Sequence, residues 1–363
     1  MKKDYPDESK MPTIYIDEHW LTGKQEMDAA AKNTKLPRQY ILSVGAKIAA
    51  VRKPLVPLLS ARGFTVTHDD GELPIDAIYL TKYSFANNQE IAVKWKTEKD
   101  QKAARCCGEA VRCPASVTLD DFIRHPFYPA VFKSELVNWG LDKFLIERPE
   151  QLETIQRFRQ EVIPQVPEYR YYFDSCLFQQ FIETPAECRS SLRVFTSASG
   201  DVMAVGLIYS TSQAPQKTTR GTLGMFFSNP DSAYFLNSKS ILSNRAAGGD
   251  IISFGAPRYS DEKRRILKAH GFDPANPAIS DDLERTAATI AKECNKELGI
   301  ICGIDFIYHA GEERWYFLEA NHNPAVGTYA AAKGKKAGVD TAADYQLDLE
   351  ARMEALRMCM IKR

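Results

Sequence analysis

The 363-residue chain has no apolar run long enough to cross a bilayer as a helix. Its start, Met1-Lys2-Lys3-Asp4-Tyr5-Pro6, carries charge with no apolar segment behind it, so no secretory signal is expected. Charge of one sign is also lacking. The 47 Lys and Arg residues balance 47 Asp and Glu, and no net field draws the chain to nucleic acid or to an anionic membrane. Eight cysteines include no CxxC pair, and Cys106 and Cys107 are adjacent, which argues against a zinc ribbon and an orderly disulfide framework. Reduced thiols in a cytoplasmic protein are the expectation. A GxGxxG turn, a Walker lysine motif, and Cys–His or Ser–His pairings for covalent catalysis are all missing.

What is present organises into lobes, and a chain of this length can bury two or three. Residues 1–35 are polar and read as an arm. Residues 36–93 read as a small α/β lobe: a helix from Pro54 to Arg62 stopped by Gly63, then strands at 64–67 and 76–80, in the order that suggests a parallel sheet. Residues 94–345 carry most of the remaining pattern, and residues 346–363 read as a C-terminal helix. Within the large segment, 94–107 is a polar helix, while 130–133 and 144–146 are short strands. Residues 149–162 are helical by period, and 177–182 is a strand. Residues 192–196 and 202–209 make a hairpin across Ser199-Gly200-Asp201. The strongest helix runs from Asp281 to Leu298, starting on Asp281-Asp282-Leu283-Glu284 and stopping at Gly299.

The most informative stretch is a second hairpin, Gly303-Ile304-Asp305-Phe306-Ile307-Tyr308 returning as Trp315-Tyr316-Phe317-Leu318-Glu319-Ala320-Asn321 around Gly311. Both halves are apolar enough to be buried strands, yet they carry Asp305, Glu319 and Asn321. Glu319 and Asn321 are two apart and leave one face of the strand, with Asp305 in reach of that face. Two carboxylates and an amide oxygen form a hard oxygen cluster suited to Mg²⁺ against nucleotide phosphates. On spacing alone, strand-end carboxylates facing solvent or a lysine account for it equally well.

Other polar residues stand in a definite order. Lys133 closes an apolar strand, and Gln179-Gln180-Phe181-Ile182-Glu183 runs into Glu187. Arg193 follows, then Ser243-Asn244-Arg245-Ala246-Ala247-Gly248-Gly249, then the trio. This ordered set resembles the ATP-grasp superfamily, most of all the branch holding glutathione synthetases and ribosomal-protein glutamate ligases. The resemblance covers roughly residues 94–335 and implies an α+β fold in which two α+β lobes clasp ATP.

The resemblance also implies roles. Lys133 would set its ammonium on the α- and β-phosphates. The backbone of Gln179, Gln180, Phe181, Ile182 and Glu183 would read adenine, with Phe181 and Ile182 as apolar walls. Glu187 would hold the ribose hydroxyls, with Glu183 competing. Arg193 would meet the γ-phosphate or an acyl phosphate through its planar fork, and Asn244 would donate to a phosphate oxygen beside Gly248-Gly249. Asp305, Glu319 and Asn321 would hold one or two Mg²⁺, for which Mn²⁺ would substitute. An upstream lysine of the family corresponds to Lys94 or Lys96. One departure stands out, since the loop Ser134-Glu135-Leu136-Val137-Asn138-Trp139-Gly140 has a single glycine where many relatives are glycine-rich.

The implied activity is ATP- and Mg²⁺-dependent ligation of a carboxylate to an amine or thiol through an acyl phosphate, on a small molecule or peptide, with no nucleic acid or membrane partner expected. Two other readings remain: a kinase on the same fold, favoured by the basic cluster Lys333-Gly334-Lys335-Lys336, and an ATP-binding regulatory protein without turnover. His322 beside the trio is a packed or solvated histidine, or a substrate contact.

Overall fold

Thr13–Ile16, within the stretch expected to be a polar arm, form strand β1 at the centre of a three-stranded parallel sheet. The structure, a computed structural model, describes residues 11–24, 27, 38–69, 71, 73–74, 76–81, 98–134, 142–166, 168–211, 223–238, 241, 249–322, 324, 326–335 and 342–361. On either side of β1 lie β2 (Thr65–Thr67) and β3 (Ile78–Thr81), both parallel to it. The two later strands are thus parallel as their order suggests, but each pairs with β1. Ile14 and Ile16 are fully buried. A central parallel strand is covered on both faces, so it shows no alternation, and four residues make a weak signal among charged neighbours.

This lobe is tied to the C-terminal helix Ala342–Ile361 by a buried polar knot. Arg352 Nε donates to both oxygens of Asp348 at 3.1 and 3.2 Å, and its Nη1 donates to the Leu80 carbonyl at 2.8 Å. Arg52, on the helix Arg38–Arg52, donates to the Trp20 carbonyl at 2.7 Å and stacks over the Trp20 ring at 4.2 Å. Truncating one member would leave the others buried with their hydrogen bonds unmade, a change that destabilises by about 3–5 kcal/mol.

After β4 (Val111–Arg112), a second lobe is built on β5 (Ser116–Thr118), β6 (Ala130–Ser134), β7 (Lys143–Ile146) and β8 (Cys176–Gln180). They form an antiparallel sheet in the order β5-β8-β6-β7. One face carries Ala130, Phe132, Phe144 and Phe178 into a core with Phe122, Phe158 and Phe227. Phe122 and Phe178 stack with ring centres 4.0 Å apart. Lys133 and Val131 are half-buried and leave by the opposite face, as strand alternation requires.

The third element is a six-stranded sheet, β11-β10-β9-β12-β13-β4, made of β9 (Arg189–Ser197), β10 (Val202–Ser210), β11 (Asp250–Ser253), β12 (Ile301–His309) and β13 (Arg314–Asn321) with β4 at its edge. Both expected hairpins are present, β9–β10 across Gly200 and β12–β13. Gly200 has φ +86, and a Cβ there would lie 2.8 Å from Lys292, so the turn requires glycine. One face packs Leu192, Val194, Ile304 and Phe306 under the helices Asp261–Ala269 and Asp281–Glu293. The latter helix is capped by Ser280, whose hydroxyl accepts from Leu283 N; Asp281, Asp282 and Glu284 occupy its first turn. It ends at Cys294, and a separate turn, Asn295–Leu298, continues to Gly299, so the single helix expected here is broken once.

The opposite face meets the first lobe and the C-terminal helix. Phe195, Ile208, Ile251 and Ile301 pack there with Tyr329, Ile14, Ala355 and Leu356. Among the described residues no helix is long and apolar enough to cross a membrane.

Candidate active site

Where β9, β12 and β13 run side by side, three charged side chains share one row. Asp305 is directly paired with Arg193 on one neighbour and with Glu319 on the other, and Gly303 is paired with Asn321. These residues leave the sheet on the same face as Phe195 and Ile301, so the row is the polar continuation of an otherwise apolar surface. A β-bulge between Asp305 and Phe306 adds one residue to β13, and Asp305 pairs with Glu319 while Phe306 pairs with Phe317. Phe306 and Phe317 both join the core on the far face. The bulge therefore turns Phe317 inward while keeping Glu319 beside Asp305, although the two are only two residues apart.

Asp305 is 2 % exposed. Arg193 reaches it through a two-pronged ion pair, Nε to Oδ1 at 2.6 Å and Nη2 to Oδ2 at 2.5 Å. The Asn321 amide nitrogen lies between the carboxylates, 3.1 Å from Asp305 Oδ2 and 3.2 Å from Glu319 Oε1. The Asp305 carboxyl is pushed up to about 6, chiefly by burial, with Arg193 pulling against the rise and the charge of Glu319 adding to it. For Arg193, burial works against the charged form, but Asp305 and Glu319 outweigh it and the guanidinium is held above its ordinary value.

This donor set fits a hard divalent cation. Two carboxylates face each other at paired strand positions, one of them fully buried, and the negative charge of Glu319 raises its neighbour even with Arg193 in place. A cation bound at their outer oxygens would relieve that repulsion, and rotation of the Asn321 amide would add a third oxygen. Among the described residues no three His, Cys, Asp or Glu side chains converge on a metal-sized site, so the amide is needed to complete the set.

Pro324 packs directly over Gly303 at one end of the row. A Cβ at Gly303 would lie 2.8 Å from Pro324 Cβ and 3.7 Å from Arg193 Cδ, so the chain after Asn321 folds down onto a position only glycine can leave clear. The edge of β13 is held as well. Lys99, 3 % exposed, donates from Nζ to the Ala320 carbonyl, and the Ala320 N–H donates to Asp100 Oδ1 at 3.4 Å. Neither residue has a sequence signal of its own, since both sit in a run of charges that reads as a solvated helix. Lys94 and Lys96 lie outside the described residues.

The remaining sequence-predicted residues divide. Lys133 sits on β6, directly opposite Leu177 on β8 and Lys143 on β7. Gln179, two places along the same face from Leu177, is buried and donates to the Ser116 hydroxyl at 3.0 Å. Gln180 and Phe181 give their backbone N–H groups to the carbonyls of Ala115 and Pro129, at 2.8 and 3.3 Å, so those two amides are already committed. Ile182 is buried, and the Glu183 carbonyl accepts from Ala310 N at 3.0 Å, linking this connection to the β12–β13 turn. Glu183 and Glu187 are exposed. The charge of Glu187 acts on Cys188 and on His270, which lies under Ser190 on the face away from Arg193; the structure does not bring Glu187 into the row. Asn244 and Gly248 lie outside the described residues, as does the loop at 135–141. Lys333 of the basic cluster is engaged with Glu354 at 3.4 Å and lies over the Tyr329 ring. His322 is half-buried.

No protein-family model matches the chain, and no curated protein matches it. Solved structures with a distant likeness include the ATP-grasp ligase PsnB with precursor peptide PsnA2 and AMPPNP, at 10% identity and a TM-score of 0.40, covering 96% of this chain and 78% of that one. The D-alanine–D-alanine ligase of Bacillus anthracis complexed with ATP has 12% identity and a TM-score of 0.39, over 97% of each chain. The macrocyclase MdnC of Microcystis aeruginosa, bound with precursor peptide MdnA, has 11% identity and a TM-score of 0.38, over 88% of this chain and 74% of that one.

Proposed function

We propose that this chain is an ATP-grasp ligase that uses ATP and Mg²⁺ to join a carboxylate to an amine on an amino acid or peptide. The observation that carries the reading is the row itself: Arg193, Asp305, Glu319 and Asn321 gathered on one face of the six-stranded sheet, where an apolar core would otherwise continue. The family resemblance of these residues in order, together with a separate four-stranded lobe that presents Lys133 away from its own core, supports the same reading.

In this reading the substrate carboxylate attacks the γ-phosphorus of ATP, the bond to the β,γ-bridging oxygen breaks, and ADP leaves with its electrons. The amine then attacks the acyl carbon, loses a proton and expels inorganic phosphate. Asp305, Glu319 and Asn321 would hold Mg²⁺, which would supply charge neutralisation for the phosphate oxygens. Asp305 fixes the plane of Arg193, so that the guanidinium edge not spent on the carboxylate is oriented before substrate arrives. Lys133 places a point charge from the second lobe. The N–H groups of Gln180 and Phe181 are committed to Ala115 and Pro129, so donation to adenine from the connecting segment would fall to the N–H groups of Ile182 and Glu183. No covalent enzyme intermediate is needed; positioning and charge do the work.

An acyl phosphate forms only on a carboxylate, and hydroxylamine converts it to a hydroxamate. Incubation with ATP, Mg²⁺ and pools of amino acids or short peptides should release ADP and yield a hydroxamate when hydroxylamine replaces the amine. Transfer of labelled γ-phosphate to a stable alcohol ester, with no hydroxamate, would overturn the ligase reading in favour of a kinase.

A further inference from the structure

Among the described residues, the six-stranded sheet has an incomplete edge. Its last strand, β4, covers β13 only at Trp315 and Tyr316. Four residues further along, Ala320 lies between the two site residues Glu319 and Asn321, beyond the reach of β4. Its backbone groups are met by two side chains: Asp100 Oδ1 accepts from Ala320 N, and Lys99 Nζ donates to Ala320 O. One donor and one acceptor at a single residue reproduce the pair of bonds that a neighbouring strand would supply.

The clamp is itself fixed. Lys99 is 3 % exposed, and its ammonium lies 3.5 Å from Asp100 Oδ1, so the two clamping groups are also partners. The Lys99 carbonyl accepts from the thiol of Cys294, at the end of the helix Asp281–Glu293, at 4.0 Å. Ala103, one turn further along helical residues 98–105, is fully buried in the core that also holds Ala320. A buried ammonium is retained only where hydrogen bonds and an opposite charge offset its desolvation, and here both converge on one peptide unit.

We propose that Lys99 and Asp100 are positioning residues for the candidate active site: they act as a surrogate edge strand that locks the backbone of Ala320 and so sets the spacing of Glu319 and Asn321 toward Asp305. The strand is thereby held at its tip, where edge strands otherwise fray, and the oxygen set is presented at fixed spacing. The functional half of this inference rests on the ligase reading above; the structural half does not.

Two measurements on the full-length protein separate those halves. The first is hydrogen exchange at the Ala320 amide. It should be protected in the wild type and in Asp100→Asn, whose side-chain oxygen still accepts, and should exchange at least about tenfold faster in Asp100→Ala. The second is the Mg²⁺ dependence of AMP-PNP binding, followed by calorimetry without any acceptor substrate. Asp100→Ala should require roughly 10- to 100-fold more Mg²⁺, as expected when support for metal ligands is lost, and Asp100→Asn should restore most of the effect. Lys99→Arg, which keeps a donor and a charge, should bind closer to wild type than Lys99→Met. Fast exchange of Ala320 in the wild type would overturn the clamp. An unchanged Mg²⁺ requirement in Asp100→Ala, with only a lowered melting temperature, would show the pair to be structural and overturn its positioning role. A wild type that protects Ala320 yet binds no AMP-PNP with Mg²⁺ would overturn the ATP reading, and the positioning role with it.

Discussion

Arg193 and Asp305 occupy directly paired positions on adjacent strands and meet through two N–H···O bonds of 2.6 and 2.5 Å. The carboxylate is therefore a structural counter-ion as well as a candidate metal ligand. Removing it leaves a buried guanidinium with no opposite charge of comparable geometry. Asp305→Asn is expected to lose nucleotide binding and also about 3–5 kcal/mol of stability. Denaturant unfolding checks this, with the double variant Arg193→Met/Asp305→Leu as control. The double variant should be more stable than Asp305→Asn and equally inactive. A single variant as stable as the wild type would show that the pair does not carry this load.

Glu319 offers the cleaner test of the metal site. It is half-buried rather than enclosed, and the two-pronged bond of Arg193 goes to Asp305. Glu319→Gln keeps the shape and the hydrogen-bonding oxygen but removes the charge that faces Asp305. Mg²⁺-dependent ADP release should fall by about 100-fold or more, the scale of several kcal/mol of lost charge stabilisation, with the melting temperature within a few degrees of wild type. Turnover at the wild-type level would remove Glu319 from the metal set.

Lys133 leaves its sheet on the side away from the Phe122, Phe132 and Phe178 core. Its replacement by alanine should therefore weaken AMP-PNP binding by about tenfold or more, a little over 1 kcal/mol, while leaving unfolding nearly unchanged. Calorimetric titration and thermal melts on the same sample decide the matter. Unaltered affinity with a lowered melting temperature would make Lys133 structural.

His270 gives a pH prediction independent of the site. Burial holds its pKa below the ordinary value of 6.5, against the pull of the Ile266 carbonyl and Glu187. The neutral ring donates from Nδ1 to the Ile266 carbonyl and accepts at Nε2 from the Ser190 hydroxyl. As pH falls below about 6.5, the unfolded chain takes up a proton that the folded one refuses. Stability should then fall with a slope of at most ~1.4 kcal/mol per pH unit until the folded-state pKa is reached. His270→Gln should lower stability at pH 8 and flatten the acid-side slope in urea unfolding between pH 5 and 8. An identical slope in the variant would assign the acid sensitivity to other groups.

Much of the site was legible because the chemistry is local. Polar residues on a strand that is otherwise apolar need a reason, and period-two alternation puts Glu319 and Asn321 on one face without any knowledge of the fold. Apolar runs on either side of short polar turns gave both hairpins. Elsewhere the signal failed for identifiable reasons. Strand β1 is too short and too evenly buried to alternate. The helix starting at residue 281 breaks at Cys294 although its apolar stripe continues. Glu187 is close to Arg193 in sequence, yet its charge acts on His270 across the sheet.

What the sequence by itself determined is which residues are anomalous: carboxylates and an amide where hydrocarbon belongs, and a lysine at the end of an apolar strand. Those anomalies arise from the free energy of burying charge, which is a property of each segment alone. Only the tertiary structure decided their partners. That Asp305 is held by Arg193, that the bulge before Phe306 keeps Glu319 beside it, and that Lys99 and Asp100 meet the backbone of Ala320 all depend on strand register and on helix placement. The contacts of Arg193 with Asp305 and of Lys99 and Asp100 with Ala320 join residues more than a hundred positions apart, and no local pattern encodes them, because a hydrogen bond satisfied at long range leaves no period in the chain.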